Sequence, residues 1–592
     1  MAINATKDDE ELKESIKIDV VKRLMGYLLS YTKEIVAVVI LIVITVGIGI
    51  AYPLIIQRIL DVEIENKDVR GLITMVVIAT VLAGVNLAAS VIWRRIMAKV
   101  SNDVVYNIRR SLYSHIQELS IEFFDSRPAG KILARVTGDV NNLKDVLTST
   151  ITQFIPEFLT LITVLIVMII VSPTLTLSAA IAIPIIILGV YFCEMIAEKR
   201  WQMLRKKDSN FTAFVHENIS GMGVIQSFCA EKEAGEEMDD IIDDHLRAFR
   251  RAVRMADLFS PTIEISYGVG AFVLYYLAIK VLNFEVSSVG TLTAFAMYLG
   301  MFFGPIRNLA NFYNKLVTNM SSAERVFEIM DTKPLVKDEE GATPISSIKG
   351  QVEFENVSFG YPDEPEKMIL KDVSFTINPG ETIALVGPTG AGKTTIISLI
   401  SRFYNCSSGR VLIDGCDISK VTIKSLRTQL GIMTQDNYLF SGTIKDNIKY
   451  GKQDATDEEI IAASKTVHAH DFIVELEKGY DTEITERGGG LSAGQRQLIA
   501  FARTLVQNPG ILILDEATSN IDTKTEILVQ QDIEEMLKGR TSFVVSHRLS
   551  TIRNADRIFV IDDGGILEHG SHEELMNLKG AYYGLYQSMA VS

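Results

Sequence analysis

Cysteine is scarce: Cys193, Cys229, Cys406 and Cys416 are the only four in 592 residues, and no two form a C-x-x-C pair. That spacing excludes a disulfide framework and a thiolate zinc site, so the four read as reduced packing residues. No block of lysine and arginine stands out and the net charge is −15, which excludes nucleic acid as the main partner. The opening residues, MAINATKDDEELKESIK, carry acids and lack the apolar core of a secretory or mitochondrial targeting peptide. What the chain does have is a mixture: 48% hydrophobic and 22% charged residues, in a length too great for one core. A membrane portion joined to a water-soluble portion fits that mixture.

Apolar runs near the 20 residues needed to cross a bilayer fill the first half. The spans expected are 35–57, 71–93, 150–171, 175–193, 258–279 and 286–306, six in all. The third must begin before Glu157, because 36 uncharged residues broken at Ser172-Pro173-Thr174 are short for two spans and a turn. Residues 1–33 form a tail and an apolar-periodic segment, from Ile16 to Leu29, that reads equally as an interfacial or a surface helix. Nine lysines and arginines lie between Arg94 and Asp145 and ten between Glu194 and Ala256, while the alternate connections are short and poor in them. Both ends and the two long connections are therefore expected on the cytoplasmic side of a cell membrane. The helical periodicity of those connections makes them extensions of the spans.

Two acids fall inside the spans. Glu157 lies 15 residues before Ser172 and Glu264 lies 16 before Lys280, which puts each roughly 22–24 Å below the outer boundary. Intramembrane carboxylates either line a polar cavity, here one favouring cationic or polar cargo, or snorkel to the inner interface. Phe295, Tyr298, Leu299 and Phe302 share one helix face, which suits either an adaptable pocket or plain helix packing.

Residues 331–350, DTKPLVKDEEGATPISSIKG, are rich in Pro, Gly, Ser and charge, and mark a linker after a membrane domain of residues 34–330. Residues 351–592 alternate strand and helix patterns. Within them GPTGAGKTT, Gly387 to Thr395, fits G-x-x-x-x-G-K-[ST] between a β-branched strand pattern and a helical one. Glycines turn backbone N–H groups inward and the helix dipole adds positive charge, so this loop holds the phosphates of a nucleoside triphosphate. The apolar run 511–514 ends in Asp515 and Glu516, an acid to support magnesium through water and an acid to polarise an attacking water. Ser492, in LSAGQ ahead of a helical pattern, is an N-cap that makes a second phosphate site. Two such sites in one chain point to a dimer.

These motifs, in this order, resemble the half-transporters of the type IV ABC exporter family over nearly the whole length. The resemblance implies an all-α transmembrane domain of six helices with long cytoplasmic extensions, followed by an α/β P-loop ABC ATPase domain. FFDSRPAGKILARVTGDV (123–140) and Glu217 to Gly221 resemble the family's two coupling regions. Tyr361 matches the aromatic that stacks on adenine, and GPTGAGKTT matches Walker A, with Gly387, Thr389, Gly390, Gly392, Lys393, Thr394 and Thr395 on ATP. Gln435 matches the Q-loop, Asp515 and Glu516 close Walker B, and His547 matches the switch histidine. By the same resemblance Thr394, Gln435 and, through water, Asp515 would hold Mg2+. Glu516 would be the general base and His547 the γ-phosphate sensor. Ser492, Gly494 and Gln495 would close the partner chain's site.

The function implied is ATP-driven export of amphipathic drugs or lipids by alternating access, in a bacterial cell membrane. Lipid surrounds the spans, and the partner is a second half-transporter. Two positions depart from the family's usual residues: Ala493 where LSGGQ has glycine, and Asn520-Ile521 where the D-loop commonly reads SALD. Heterodimeric exporters often alter both motifs in the chain that keeps the glutamate, which favours a heterodimer over a homodimer. Peptide export and an ATP-gated channel or receptor on the same scaffold are the alternatives. The 34 residues before the first span are too few for the peptidase domain that peptide exporters often carry.

Overall fold

The computed structural model describes residues 18–180, 182–280, 289–364, 366–433, 438–515, 523–545 and 549–591. The chain divides into two compact units, one of Met1–Ser114 with Leu133–Asp331, the other of His115–Ile132 with Thr332–Ser592.

The first unit is helical. Its principal helices are Ile18–Leu29, Thr32–Arg58, Ile155–Val171, Ala182–Ser220, Glu231–Asp257, Phe259–Lys280 and Val289–Asp331, with most of Val69–Glu118. Among the described residues four helices are long and apolar enough to cross a membrane: Thr32–Ile64, Val69–Glu118, Ala129–Val171 and Val289–Tyr313. The other two expected spans fall on Pro173–Ala180 with Ala182–Ser220, and on Phe259–Lys280, which has an apolar core of Tyr267–Leu277. The apolar side chains of these helices point outward in large part, with Ile40, Val43, Ile73, Val77 and Leu87 all more than half exposed. Such all-round apolar surface is what a lipid environment requires.

The interior of this unit collects Ile50, Val164, Met168, Leu274, Phe295, Tyr298 and Leu299. Phe295, Tyr298 and Leu299 are at most 2% exposed, and the Tyr298 hydroxyl donates to the Ile50 carbonyl at 2.8 Å. Three members of the aromatic stripe thus do helix packing. Where the helices continue past the apolar runs, polar side chains replace apolar contacts. Asp139 is 6% exposed and accepts from Arg325 at 2.7 and 3.1 Å and from Arg135 at 2.9 Å. Three charge-assisted bonds offset its desolvation, and they hold its carboxyl below the usual range against the opposing effect of burial.

The second unit is α/β. Strands β1 (Val352–Gly360), β2 (Met368–Ile377), β4 (Ser408–Ile413) and β5 (Cys416–Asp417) form an antiparallel sheet in the order β2-β1-β4-β5. A six-stranded sheet runs β12-β11-β3-β10-β9-β6, from β3 (Thr382–Val386), β6 (Leu430–Met433), β9 (Ile511–Asp515), β10 (Thr541–Val545), β11 (Arg557–Asp562) and β12 (Gly565–Gly570). A short pair joins β7 (Gly442–Thr443) to β8 (Glu483–Ile484). Strands β3, β9 and β10 are β-branched and apolar, buried on both faces, and pair in parallel. Capping boxes start several helices at the S/T-x-x-D/E/Q signals of the sequence, including Thr456 with Glu459 and Ser571 with Glu574.

Candidate functional site

The site is built where parallel strands end. Val545 of β10 pairs with Leu385 of β3 on one side and Asp515 of β9 on the other, and Met433 of β6 pairs with Leu514. Four strand carboxyl ends therefore lie at one sheet edge, the place where open α/β sheets bind ligands. The phosphate loop leaves β3 there. Gln435 follows Met433 by two residues, Glu516 follows Asp515 directly, and His547 follows Val545 by two. Gln435, Glu516 and His547 themselves lie outside the described residues.

The loop's glycines are dictated by space. Gly387 has φ +151°, and a Cβ there would stand 2.2 Å from the Ile561 carbonyl oxygen of β11. Gly392 has φ +107° and caps the helix Lys393–Ile400 with no side-chain bond to that helix's first N–H groups. An uncapped helix start aimed along the glycine loop is an anion cradle. Lys393, 8% exposed, donates from Nζ to the carbonyls of Gly387 and Pro388 at 2.8 and 2.9 Å, so its ammonium lies across the loop. Thr389, Gly390 and Thr394 are exposed, whereas Thr395 is buried with its hydroxyl 3.2 Å from that of Tyr361. The Tyr361 ring meets Phe359 and Tyr404 edge-on at 5.0 and 5.3 Å, which fixes the plane it offers.

The donor set suits magnesium. Thr394 presents an exposed hydroxyl, and Asp515 ends β9 half-buried, two strands from the loop. These are hard oxygen ligands, and among the described residues no group of three or more His, Cys, Asp or Glu could hold a metal by itself. Magnesium bound through one or two protein oxygens and the phosphates of a nucleotide needs no such cage.

Ser492 caps the helix Ala493–Val506. Its Oγ accepts from Gln495 N at 3.2 Å, and its own N–H donates to Gln495 Oε1 at 2.9 Å. The N–H of Gln495 is thus satisfied within the box, while the hydroxyl hydrogen stays available to donate. Gly494 is buried in the first turn. Ala493 takes the first helical position without the positive φ that would strain a methyl-bearing residue. Asn520 and Ile521 lie outside the described residues.

In the membrane unit Asn308 donates to Glu157 Oε1 at 2.5 Å, between the helices Val289–Asp331 and Ile155–Val171. Glu264, on Phe259–Lys280, is exposed.

Sequence reading missed several bonded residues of the second unit. Arg503 of the helix Ala493–Val506 donates to the Tyr438 carbonyl and to Asn447, anchoring the chain just past Gln435. His468 Nδ1 lies 2.5 Å from the wholly buried Asp532. Tyr404 donates to Asp125 at 2.7 Å, and burial together with that carboxylate pushes its phenol well above the usual range. The sequence carried a motif signal for none of them.

Comparison with known proteins agrees with this geometry. Residues 35–306 match the family described as the ABC transporter transmembrane region, and residues 370–519 match the one described as ABC transporter. The chain is 38% identical over 587 residues to a putative multidrug export ATP-binding/permease protein of Staphylococcus aureus, covering 96% of this chain and 99% of the relative. It is 38% identical over 496 residues to an ATP-dependent lipid A-core flippase of Syntrophus aciditrophicus, covering 83% and 81%. The ATP-bound structure of a bacterial Atm1-family ABC exporter matches with a TM-score of 0.78 at 27% identity, covering 94% of this chain and 98% of that one.

Proposed function

The chain belongs to the ABC transporter family as an ATP-hydrolysing half-transporter of exporter type in a bacterial cell membrane, and from that premise we propose that it exports amphipathic drugs or lipids. Half-transporters of this kind function as dimers. In the proposed cycle two nucleotide domains meet head to tail, and each ATP is held by the phosphate loop of one chain and the LSAGQ helix of the other. ATP closes the pair and turns an inward cavity outward, and hydrolysis resets it. Closure favours one state because the nucleotide binds it more tightly.

The observation that carries this reading is the sheet edge where the glycine loop, Asp515 and the ends of β6 and β10 meet. Lys393 would hold the β- and γ-phosphates, and bound Mg2+ would neutralise charge developing on them. Thr394 and Asp515 would position the ion with Gln435, Glu516 would take the proton of the attacking water, and His547 would contact the γ-phosphate. Six spans, a cytoplasmic nucleotide domain of residues 351–592 and the linker of residues 331–350 complete the layout. The relatives include a putative multidrug export ATP-binding/permease protein and a lipid A-core flippase, which supports amphipathic cargo.

For the partner, the departures at Ala493 and at Asn520-Ile521 favour a heterodimer. The unstrained fit of Ala493 supports the second reading, a homodimer. The test is ATP hydrolysis and vesicle transport by the purified chain, alone and with a co-expressed half-transporter, using ethidium and a fluorescent phospholipid as probes. ATP-dependent movement of either probe is expected. Hydrolysis that opens an ion conductance and moves neither probe overturns export in favour of a channel. Cooperative hydrolysis by the chain alone selects the homodimer.

A further inference from the structure

The chain passes between the two units at Ser114–His115, Ile132–Leu133 and Asp331–Thr332. The last of these passages continues the helix Val289–Asp331 into the linker, and the linker is bonded along its length. Asp338 accepts from Ile423 N at 2.7 Å, and Thr343 N donates to the Lys420 carbonyl at 3.2 Å. Ile345 N donates to Ser425 Oγ at 3.0 Å and Ile348 N to Gln429 Oε1 at 2.9 Å.

Arg402 stands at the head of this seam, two residues past the phosphate-loop helix Lys393–Ile400. It is 1% exposed, with φ +49°, and its guanidinium donates to the carbonyls of Val421, Ser419 and Lys337. The Asp338 carboxylate is 3.8 Å away, and Nε has no partner among the described residues. Burying a cation against carbonyls with no carboxylate in bonding contact is costly, and apolar residues would fill the space more cheaply. What the guanidinium achieves that they cannot is a fork gripping the linker carbonyl and two carbonyls of the 418–421 segment at once. Arg427 completes the joint by donating to the carbonyls of Ser401 and Arg402 at 3.2 and 2.7 Å. The helix thus offers its first turn to phosphate and has its far end, about 12 Å away, fastened to the linker.

We propose that Arg402 is a positioning residue for transport, fixing the linker to the end of the phosphate-loop helix so that helix movement on nucleotide binding passes along the chain into the helix Val289–Asp331. The start of the linker also meets the segment His115–Ile132, where His115 Nε2 lies 2.9 Å from the Thr332 carbonyl and Leu335 N donates to Ser120 Oγ at 3.3 Å, and Tyr404 holds that segment through Asp125. The proposal rests on the exporter reading above.

The test uses the full chain in nanodiscs, in a background with its four native cysteines replaced. A single cysteine at exposed Val289 reports the rate of labelling by a membrane-impermeant maleimide, with and without ATP and vanadate. Two variants are compared with this parent. One is Arg402→Lys, which keeps the charge and loses the fork. The other inserts Gly-Ser-Gly-Ser between Lys333 and Pro334, which leaves every bond of Arg402 intact and breaks the continuity upstream of it. The parent is expected to change its labelling rate at least about fivefold on trapping. Both variants are expected to change it less than about twofold while hydrolysing ATP within about threefold of the parent. A parent-like change in the insertion variant overturns the proposal. So does loss of hydrolysis and of thermal stability together in Arg402→Lys with an unaffected insertion variant, because Arg402 would then serve folding alone. A parent that hydrolyses ATP with no change in labelling overturns the exporter reading and this proposal with it.

Discussion

At Gly387 the requirement for glycine is steric as well as conformational. A methyl group would meet the backbone of β11 at 2.2 Å, and neither the strand nor the loop can yield without breaking the register of Val386 with Val560. Gly387→Ala is expected to destabilise the nucleotide domain by about 3 kcal/mol, combining overpacking with a left-handed φ, and a fall in the nucleotide-protected melting temperature checks it. Glu516→Gln keeps the size and removes the proposed base. ATP binding is expected to stay within about threefold while turnover falls at least about a hundredfold, and equilibrium nucleotide binding beside steady-state hydrolysis separates the two. The phosphate loop was legible from nine consecutive residues because each glycine answers a local backbone need. Arg402 was not, because its acceptor at Lys337 lies 65 positions away and no local pattern announces a buried arginine.

Among elements, the helices Ala469–Glu475 and Thr523–Leu537 are joined by a titrating pair. His468 has φ +48° and approaches Asp532, which is wholly buried and has a second oxygen, Oδ2, without a partner among the described residues. The bond to Asp532 raises the histidine above its ordinary value of 6.5, and the Asp532 and Asp471 charges add to the shift. Burial raises Asp532 above its ordinary 3.8, against the opposing influence of His468. A raised histidine means that the folded state binds the proton more tightly than the unfolded one. Its stabilisation is therefore complete below 6.5 and is lost as pH climbs through the raised value. The raised Asp532 acts in the same sense, with a loss that begins above 3.8. The apparent melting temperature of the full chain is thus expected to fall as the pH rises above the ordinary histidine value of 6.5. His468→Asn, which tolerates the left-handed backbone and does not titrate, should flatten that slope. Helix starts such as Ser492 were readable from their capping boxes, whereas this pair joins residues 64 apart and depends on how the helices pack.

For the whole molecule, the remaining question is what the membrane unit selects. The apolar runs and the phosphate loop were legible because bilayer thickness and phosphate geometry impose patterns on the sequence itself. Cargo recognition imposes none, and of the two intramembrane acids the structure distinguishes one by its partner. Glu157 is bonded to Asn308, 151 positions away, while Phe154 stacks on Phe158 at 5.7 Å and leans on Phe312 at 5.3 Å beside it. A carboxylate with an amide to orient it and aromatic rings close by can attract an organic cation through charge and through the ring faces. Glu157→Gln keeps the shape and can still bond Asn308, so packing is preserved and only the charge is lost. Export of ethidium is therefore expected to fall at least about fivefold relative to a neutral fluorescent phospholipid, with basal ATP hydrolysis unchanged. Equal loss for both probes would assign Glu157 to the architecture of the helices, and unchanged export of both would remove it from cargo selection. Glu264→Gln serves as the matched control, since it removes the same charge from a different helix.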